Sequence, residues 1–206
     1  MKRNTVLSLL FICLISLQGN VMAQDDNDAK TLFGSNNSLN VEDLGFFIAP
    51  AYGFTQMDGS NTSLFNLRAG LNYKDKITLG GYFATSLNEI QPESETFPNV
   101  YMDYWSVGGF AEYTLISKNI FHFTIPVFVG YGEVQMDNES GDAGLGEQNF
   151  FQVEPSALLE INLHKYVRFN VGAGYRFVEE MEYRNLSDSE ISGVTGYVGL
   201  KFGLFR

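Results

Sequence analysis

From Leu44 to the C-terminus the chain alternates apolar and polar residues with a period of two, the pattern of β-strands and not of helices. Between 167 and 177, Val167, Phe169, Val171, Ala173, Tyr175 and Phe177 fall on one face, and Arg168, Asn170, Gly172, Gly174 and Arg176 on the other. The stretches 121–132 and 194–204 repeat the arrangement. Eight such segments can be drawn: 44–55, 63–74, 77–89, 101–116, 120–135, 150–163, 167–183 and 193–205. Most exceed the usual globular strand of about five or six residues, and about 9–11 tilted residues suffice to cross a bilayer.

The connections sort by length. Three are short (74–76, 117–119 and 164–166), and four are longer and polar (56–62, 90–100, 136–149 and 184–192). Short turns at one end and long loops at the other is the layout of an outer-membrane barrel, with turns on the periplasmic side. The expected fold is therefore all-β: an eight-stranded antiparallel up-and-down transmembrane barrel. If Leu163 faces Val167, residue numbers across that hairpin sum to 330, so Asn162 meets Arg168 and Glu154 meets Arg176 on the polar faces. An even sum across the 74–76 turn likewise keeps Phe65, Leu67 and Leu71 with Ile77, Leu79 and Phe83.

Hydrophobic residues make up 45% of the chain, yet only one compact apolar run exists, at the N-terminus. Residues 1–23 read as a signal peptide: Lys2 and Arg3, an apolar core at 7–17 too short to span a bilayer, and a cleavage site after Ala23. Residues 24–42 are polar and acidic and read as a flexible lead-in, leaving 43–206 as the barrel. Loss of Lys2 and Arg3 takes the net charge from −11 to −13, and loss of Cys13 leaves no cysteine for a disulfide. That balance argues against nucleic acid as a partner and against a basic patch docking on anionic lipid.

Which face looks inward follows from two features. The polar face carries glycines, among them Gly80, Gly108, Gly130, Gly172 and Gly199, which suit the crowded interior of an eight-stranded barrel. The apolar face carries aromatics near strand ends: Tyr73, Tyr113 and Phe202 toward the short turns, Trp105, Tyr131 and Tyr175 toward the long loops. Two such belts match the two membrane interfaces. The interior then holds Arg68, Glu112, Glu160 and Lys201 at similar heights, with Glu154 and Arg176 paired higher up. Charges in a tight lumen need partners, so the expectation is a salt-bridged plug.

With this layout the chain resembles the small OmpA/OmpX-like outer-membrane barrel superfamily over 44–206. The segment Tyr197-Val198-Gly199-Leu200-Lys201-Phe202-Gly203-Leu204 resembles the C-terminal signal read by the barrel-assembly machinery, although Arg206 follows the aromatic Phe205. The resemblance implies outer-membrane lipid and that machinery as partners, a monomer, and a structural or surface-interaction role through the external loops. A peptidoglycan-binding domain is not expected after the barrel segment, so the anchoring role of the family is not carried over.

The chemistry-bearing residues are few. Lipid-modifying barrels need a nucleophile, a histidine and a carboxylate close together. The two histidines are His164, in a short turn, and His122, pointing inward near the same end beside Thr124 and in reach of Glu112. Neither lies near the outer-leaflet rim, so no enzyme is expected. The acidic loop 137–142 lacks the ligand spacing of a calcium-binding loop, and neither a metal nor a cofactor is expected. The alternatives are a narrow channel for ions or small solutes and a lipid-modifying enzyme.

Overall fold

The structure is a computed structural model that describes residues 43–95, 99–138 and 144–205. These fall in a unit spanning Asn40–Arg206. The signal peptide and lead-in expected at 1–42 lie outside the described residues.

Eight long strands close into an antiparallel barrel. In chain order they are β1 (Leu44–Met57), β2 (Ser60–Tyr73), β3 (Ile77–Ser86), β4 (Val100–Leu115), β5 (Phe121–Asn138), β6 (Gly144–His164), β7 (Val167–Glu179) and β10 (Gly193–Gly203). Two short strands, β8 (Glu182–Tyr183) and β9 (Leu186–Ser187), and one helical turn, α1 (Asp188–Ile191), lie between β7 and β10. Each long strand pairs with its sequence neighbour, and β1 closes the ring on β10 from Phe47↔Gly203 to Thr55↔Thr195. Closure leaves no edge strand in the wall, so every strand has a hydrogen-bonding neighbour on both sides.

Register follows the sequence pattern except beside the β6–β7 turn, where a bulge between Asn162 and His164 sets His164, and not the expected Leu163, opposite Val167. Across β6 and β7, Val153 meets Phe177, Ser156 meets Gly174 and Asn162 meets Arg168. Across β2 and β3, Leu67 meets Phe83 and Leu71 meets Leu79. The first external connection differs from expectation. Residues 56–62 are not a loop: Gln56 pairs with Asn61 and Met57 with Ser60, leaving a two-residue turn at Asp58-Gly59. Both turn residues take positive φ, 43° and 77°, the backbone that an Asp-Gly hairpin turn supplies. Likewise β7 stops at Glu179, and the expected continuation to Tyr183 folds instead into the β8–β9 hairpin.

Side chains on the barrel's outside are large and apolar. Phe46, Phe54, Leu79, Phe121, Phe123 and Val194 are among many that are about half exposed or more. Phe123, Val171 and Leu200 point out, whereas Glu160 and Arg176 are fully buried within. No helix among the described residues is long and apolar enough to cross a membrane, so the apolar surface belongs to the strands. A continuous apolar belt around a closed barrel is stable against lipid and not against water. Inside, the glycines make room for rings: a Cβ on Gly108 or Gly130 would stand 2.9 or 2.6 Å from atoms of Tyr82.

The outward face changes character toward the long-loop end. On β5, Tyr131 is followed outward by Glu133 and Gln135, and on β4, Trp105 gives way to Asp103. Phe54 gives way to Gln56 and Phe177 to Glu179. This switch marks the external membrane boundary. Arginine at Val127, near the middle of the apolar belt on β5, should cost about 2–4 kcal/mol of unfolding free energy in bilayers, and arginine at Gln135 about 1 kcal/mol or less. Guanidinium titration of the two variants in liposomes measures the difference.

Candidate functional site

The interior is the only place where the barrel gathers ionisable groups away from solvent among the described residues, and it is organised in storeys. The storey nearest the short turns is ionic. Glu112 on β4 lies between Arg68 on β2, at 3.5 Å, and Lys201 on β10, at 2.8 Å. Lys201 also contacts the Glu160 carboxylate on β6. The structure thus brings together Arg68, Glu112, Glu160 and Lys201 from four alternate strands, all buried.

Three further residues complete this storey and are not among the sequence candidates for it. His122 lies 3.1 Å from Glu160 through Nε2. Its cross-strand partner is Glu160 and not the expected Glu112. Arg168 sits 3.8 Å from Glu160 and donates to Asp75 at 3.0 Å, so a turn residue reaches up into the barrel mouth. The signal for Arg168 is present in its pairing with Asn162. Nothing in the linear pattern marks Asp75 as inward-pointing. Three cations and three carboxylates balance in this storey, so no net charge is buried by its six members apart from His122.

Aromatic rings close around the ions. Phe47, Phe110, Phe128 and Tyr82 pack on one another at centroid distances of 5.2–6.3 Å. Lys201 lies 4.6 Å over the Phe47 ring. Phe205, after the end of β10, turns into the mouth and stacks 3.6 Å from the Arg168 guanidinium. The terminal aromatic of the assembly-signal-like segment therefore ends in the lumen opening.

Glu154 and Arg176 lie higher and do not form the expected ion pair. Glu154 accepts hydrogen bonds from the hydroxyls of Tyr197 and Ser156. Arg176 donates Nε to the carbonyl of Ile191 at 2.9 Å and lies 5.2 Å over Tyr104. The guanidinium is drawn to a carbonyl that the α1 segment presents, a partner no strand register could reveal. Beside them a cavity of about 20 Å³ is lined by Asn66, Arg68, Gln152, Glu154, Arg176 and Tyr197, room for about one water molecule.

Above that level the inward face becomes apolar. Met57, Met102, Val134, Met136, Phe150 and Val178 form one core with Ile90, Met181, Leu186 and Ile191 from the external segments. This core is the inside counterpart of the outward polarity switch: beyond the bilayer the barrel is built like a water-soluble one. Hydrogen bonds tie the segments over it. Asp58 accepts from the backbone and hydroxyl of Ser94 at 2.9 and 2.7 Å, Arg184 pairs with Glu95 at 2.9 Å, and Asn185 donates to the Ser94 carbonyl at 3.0 Å. In α1 the Glu190 carboxyl is held below its ordinary value of 4.5, first by the Ser187 hydroxyl and also by the Ser187 backbone N–H.

The aromatics expected at the interfaces all sit on the outer face. Tyr113 and Phe202 are exposed near the short turns, with Tyr73 half-buried beside Lys74. At the other end Tyr131 and Tyr175 are exposed, and half-buried Trp105 donates its indole N–H to Glu133 at 3.1 Å.

No protein-family model matches the chain, and no curated protein matches its sequence. Solved structures do match its fold. The outer membrane protein OprG from Pseudomonas aeruginosa superposes with a TM-score of 0.54 at 10% identity, over 79% of this chain and 97% of that one. Neisserial surface protein A superposes with a TM-score of 0.52 at 11% identity, over 79% and 97%. The fold is that of small eight-stranded outer-membrane β-barrels. A major outer membrane protein from Thermus thermophilus matches this barrel with a TM-score of 0.50 at 10% identity, over 78% and 99%. At these identities the likeness is one of architecture.

Two outcomes follow for the barrel interior and its cap. Glu112→Ala leaves Arg68 and Lys201 facing each other without their shared carboxylate, which should lower unfolding free energy by about 3–5 kcal/mol in denaturant titrations. Because the folded Glu190 carboxyl is depressed, its contribution is complete above the ordinary value of 4.5 and is lost as pH falls through the lower folded value. The protection factor of the Ser187 amide should therefore fall only on acidification below about pH 4.5, and Glu190→Ala should show the low protection at neutral pH.

Proposed function

We propose that this chain is a non-enzymatic barrel of the outer membrane whose lumen is closed and salt-bridged, and whose external end serves a structural or surface-interaction role. The observation that carries the reading is double closure. The ionic storey fills the barrel near the short turns, and an independent apolar core fills it at the other end. Between them lies space for about one water. The outer-membrane location is supported by the lipid-facing belt and by the outer-membrane barrels that share the fold.

The non-enzymatic reading rests on where the histidines lie. His122 is fully buried in the ionic storey, and His164 is exposed at the β6–β7 turn. Acyl-chain or headgroup chemistry on the outer leaflet needs a nucleophile and base at the opposite rim. Outer-membrane lipid surrounds the belt, the barrel-assembly machinery reads the C-terminal strand, and the barrel works as a monomer. The external segments, tied over their own core, present a fixed surface to an outside ligand.

Planar-bilayer recording tests the closure. Wild type should give no steady conductance, and Glu112→Ala should stay silent as well, because the external core seals the lumen without it. Large steady channels from wild type would place the protein among narrow channels instead. Replacing 184–192 by a short Gly-Ser linker should reduce surface adhesion and leave envelope integrity intact.

A further inference from the structure

The fold separates charges that the net value of −11 averages away. Among the described residues every exposed lysine lies in a short turn: Lys74 and Lys76 between β2 and β3, Lys118 between β4 and β5, and Lys165 between β6 and β7. The remaining lysine of the described residues, Lys201, is buried. At the opposite end Asp103, Glu147, Glu180 and Glu182 are exposed, and the only exposed cation there among the described residues, Arg184, is held by Glu95 at 2.9 Å.

The lysines sit directly below the apolar belt. Tyr73, Ile116, Ile120, Phe121, Leu163 and Tyr166 flank the three turns, half-buried or exposed on the outside. Lys74 lies 5.1 Å over the Tyr73 ring and Lys165 4.8 Å over the Tyr166 ring. Ammonium groups held at the aromatic girdle stand at the depth of lipid phosphates and donate to them. Among the described residues the acids at this end do not cancel the rim. Asp75 is turned inward onto Arg168, and Asp43 meets Lys74 alone, at 3.5 Å with both side chains partly exposed.

We propose that the four turn lysines form a rim that binds the phosphates of anionic phospholipid headgroups in the leaflet facing the short turns. The inference rests on the membrane-spanning reading above and deepens it by naming a lipid class and a leaflet. Charge complementarity and continuity with the lipid-facing belt carry it. It also reverses the expectation, drawn from net charge, that no basic patch docks on anionic lipid.

The test uses the full chain in nanodiscs made from equal parts of phosphatidylcholine and phosphatidylglycerol with identical acyl chains. Native mass spectrometry counts the lipids that leave with the protein. Wild type should retain phosphatidylglycerol in excess. The variant Lys74→Gln, Lys76→Gln, Lys118→Gln, Lys165→Gln should lower the retained ratio at least about fivefold, the effect of losing a single lysine–phosphate attraction. Arg184→Gln, at the other end, should leave the ratio unchanged.

If the fourfold variant does not fold, Lys118→Gln, Lys165→Gln, whose lysines form no ion pair among the described residues, takes its place with the same expectation. A wild-type ratio of one, or an unchanged ratio in a variant that still migrates as a folded barrel on unheated gels, overturns the lysine rim and leaves the proposed function standing. Failure of wild type to fold into bilayers at all removes both.

Discussion

Inside a bilayer there is no water to take up the hydrogen bonds of a backbone, so a strand can cross only if both of its edges are paired. The β1–β10 ladder meets that condition here, running from Phe47↔Gly203 to Thr55↔Thr195 and closing the ring. Everything else in the molecule is arranged around that closure. With the ladder satisfied, side chains can only point to lipid or to the axis, and the period of two decides which do which. Large apolar side chains go outward, and the axis is left to glycine, polar residues and ions that must neutralise one another.

Once the barrel leaves the bilayer the same ladder faces a different solvent, and the rule inverts on both sides of the wall at once. Outward, Tyr131 gives way to Glu133 and Gln135. Inward, His122 and Thr124 give way to Val134 and Met136. The result is two kinds of packing stacked in one tube. The lower part holds ions and rings that would be costly if unpaired, and the upper part holds a core in which burial of apolar surface is the stabilising term. Ile90, Leu186 and Ile191 of the described external segments fold down on that upper core and tie it to the wall.

Much of this is legible in the sequence because a strand's alternation is local and its consequences are not. The pattern at 167–177 alone decides that Val171 faces lipid and Arg176 does not, and one turn assignment sets the pairing of Asn162 with Arg168. The misses have physical causes. Asp58-Gly59 is a hairpin signal in plain view, but the polar residues around it read as loop until the inward-facing Met57 and Thr62 are seen to continue the ladder. The change of the inward face to apolar at Met102 and Tyr104 is likewise visible in the sequence, and is hidden only by the assumption of a uniform polar lumen along the whole strand. The partners of Arg176 and Arg168 are not legible at all. They depend on how far a long side chain reaches across the lumen and on where the α1 segment and the Lys74-Asp75-Lys76 turn fold back, neither of which a linear pattern encodes.

The orientation of the wall is read most directly along β5, which runs from the short-turn rim through the belt and out beyond the boundary. Nitroxide labels placed singly at each position from 121 to 137, in a Cys13→Ser background reconstituted in bilayers, report collision with lipid-dissolved oxygen and with a water-soluble nickel reagent. Odd positions from 121 to 131 should favour oxygen, even positions should be shielded from both, and 133 and 135 should switch to the nickel reagent. Oxygen preference at the even positions, or no alternation along the strand, would contradict that orientation.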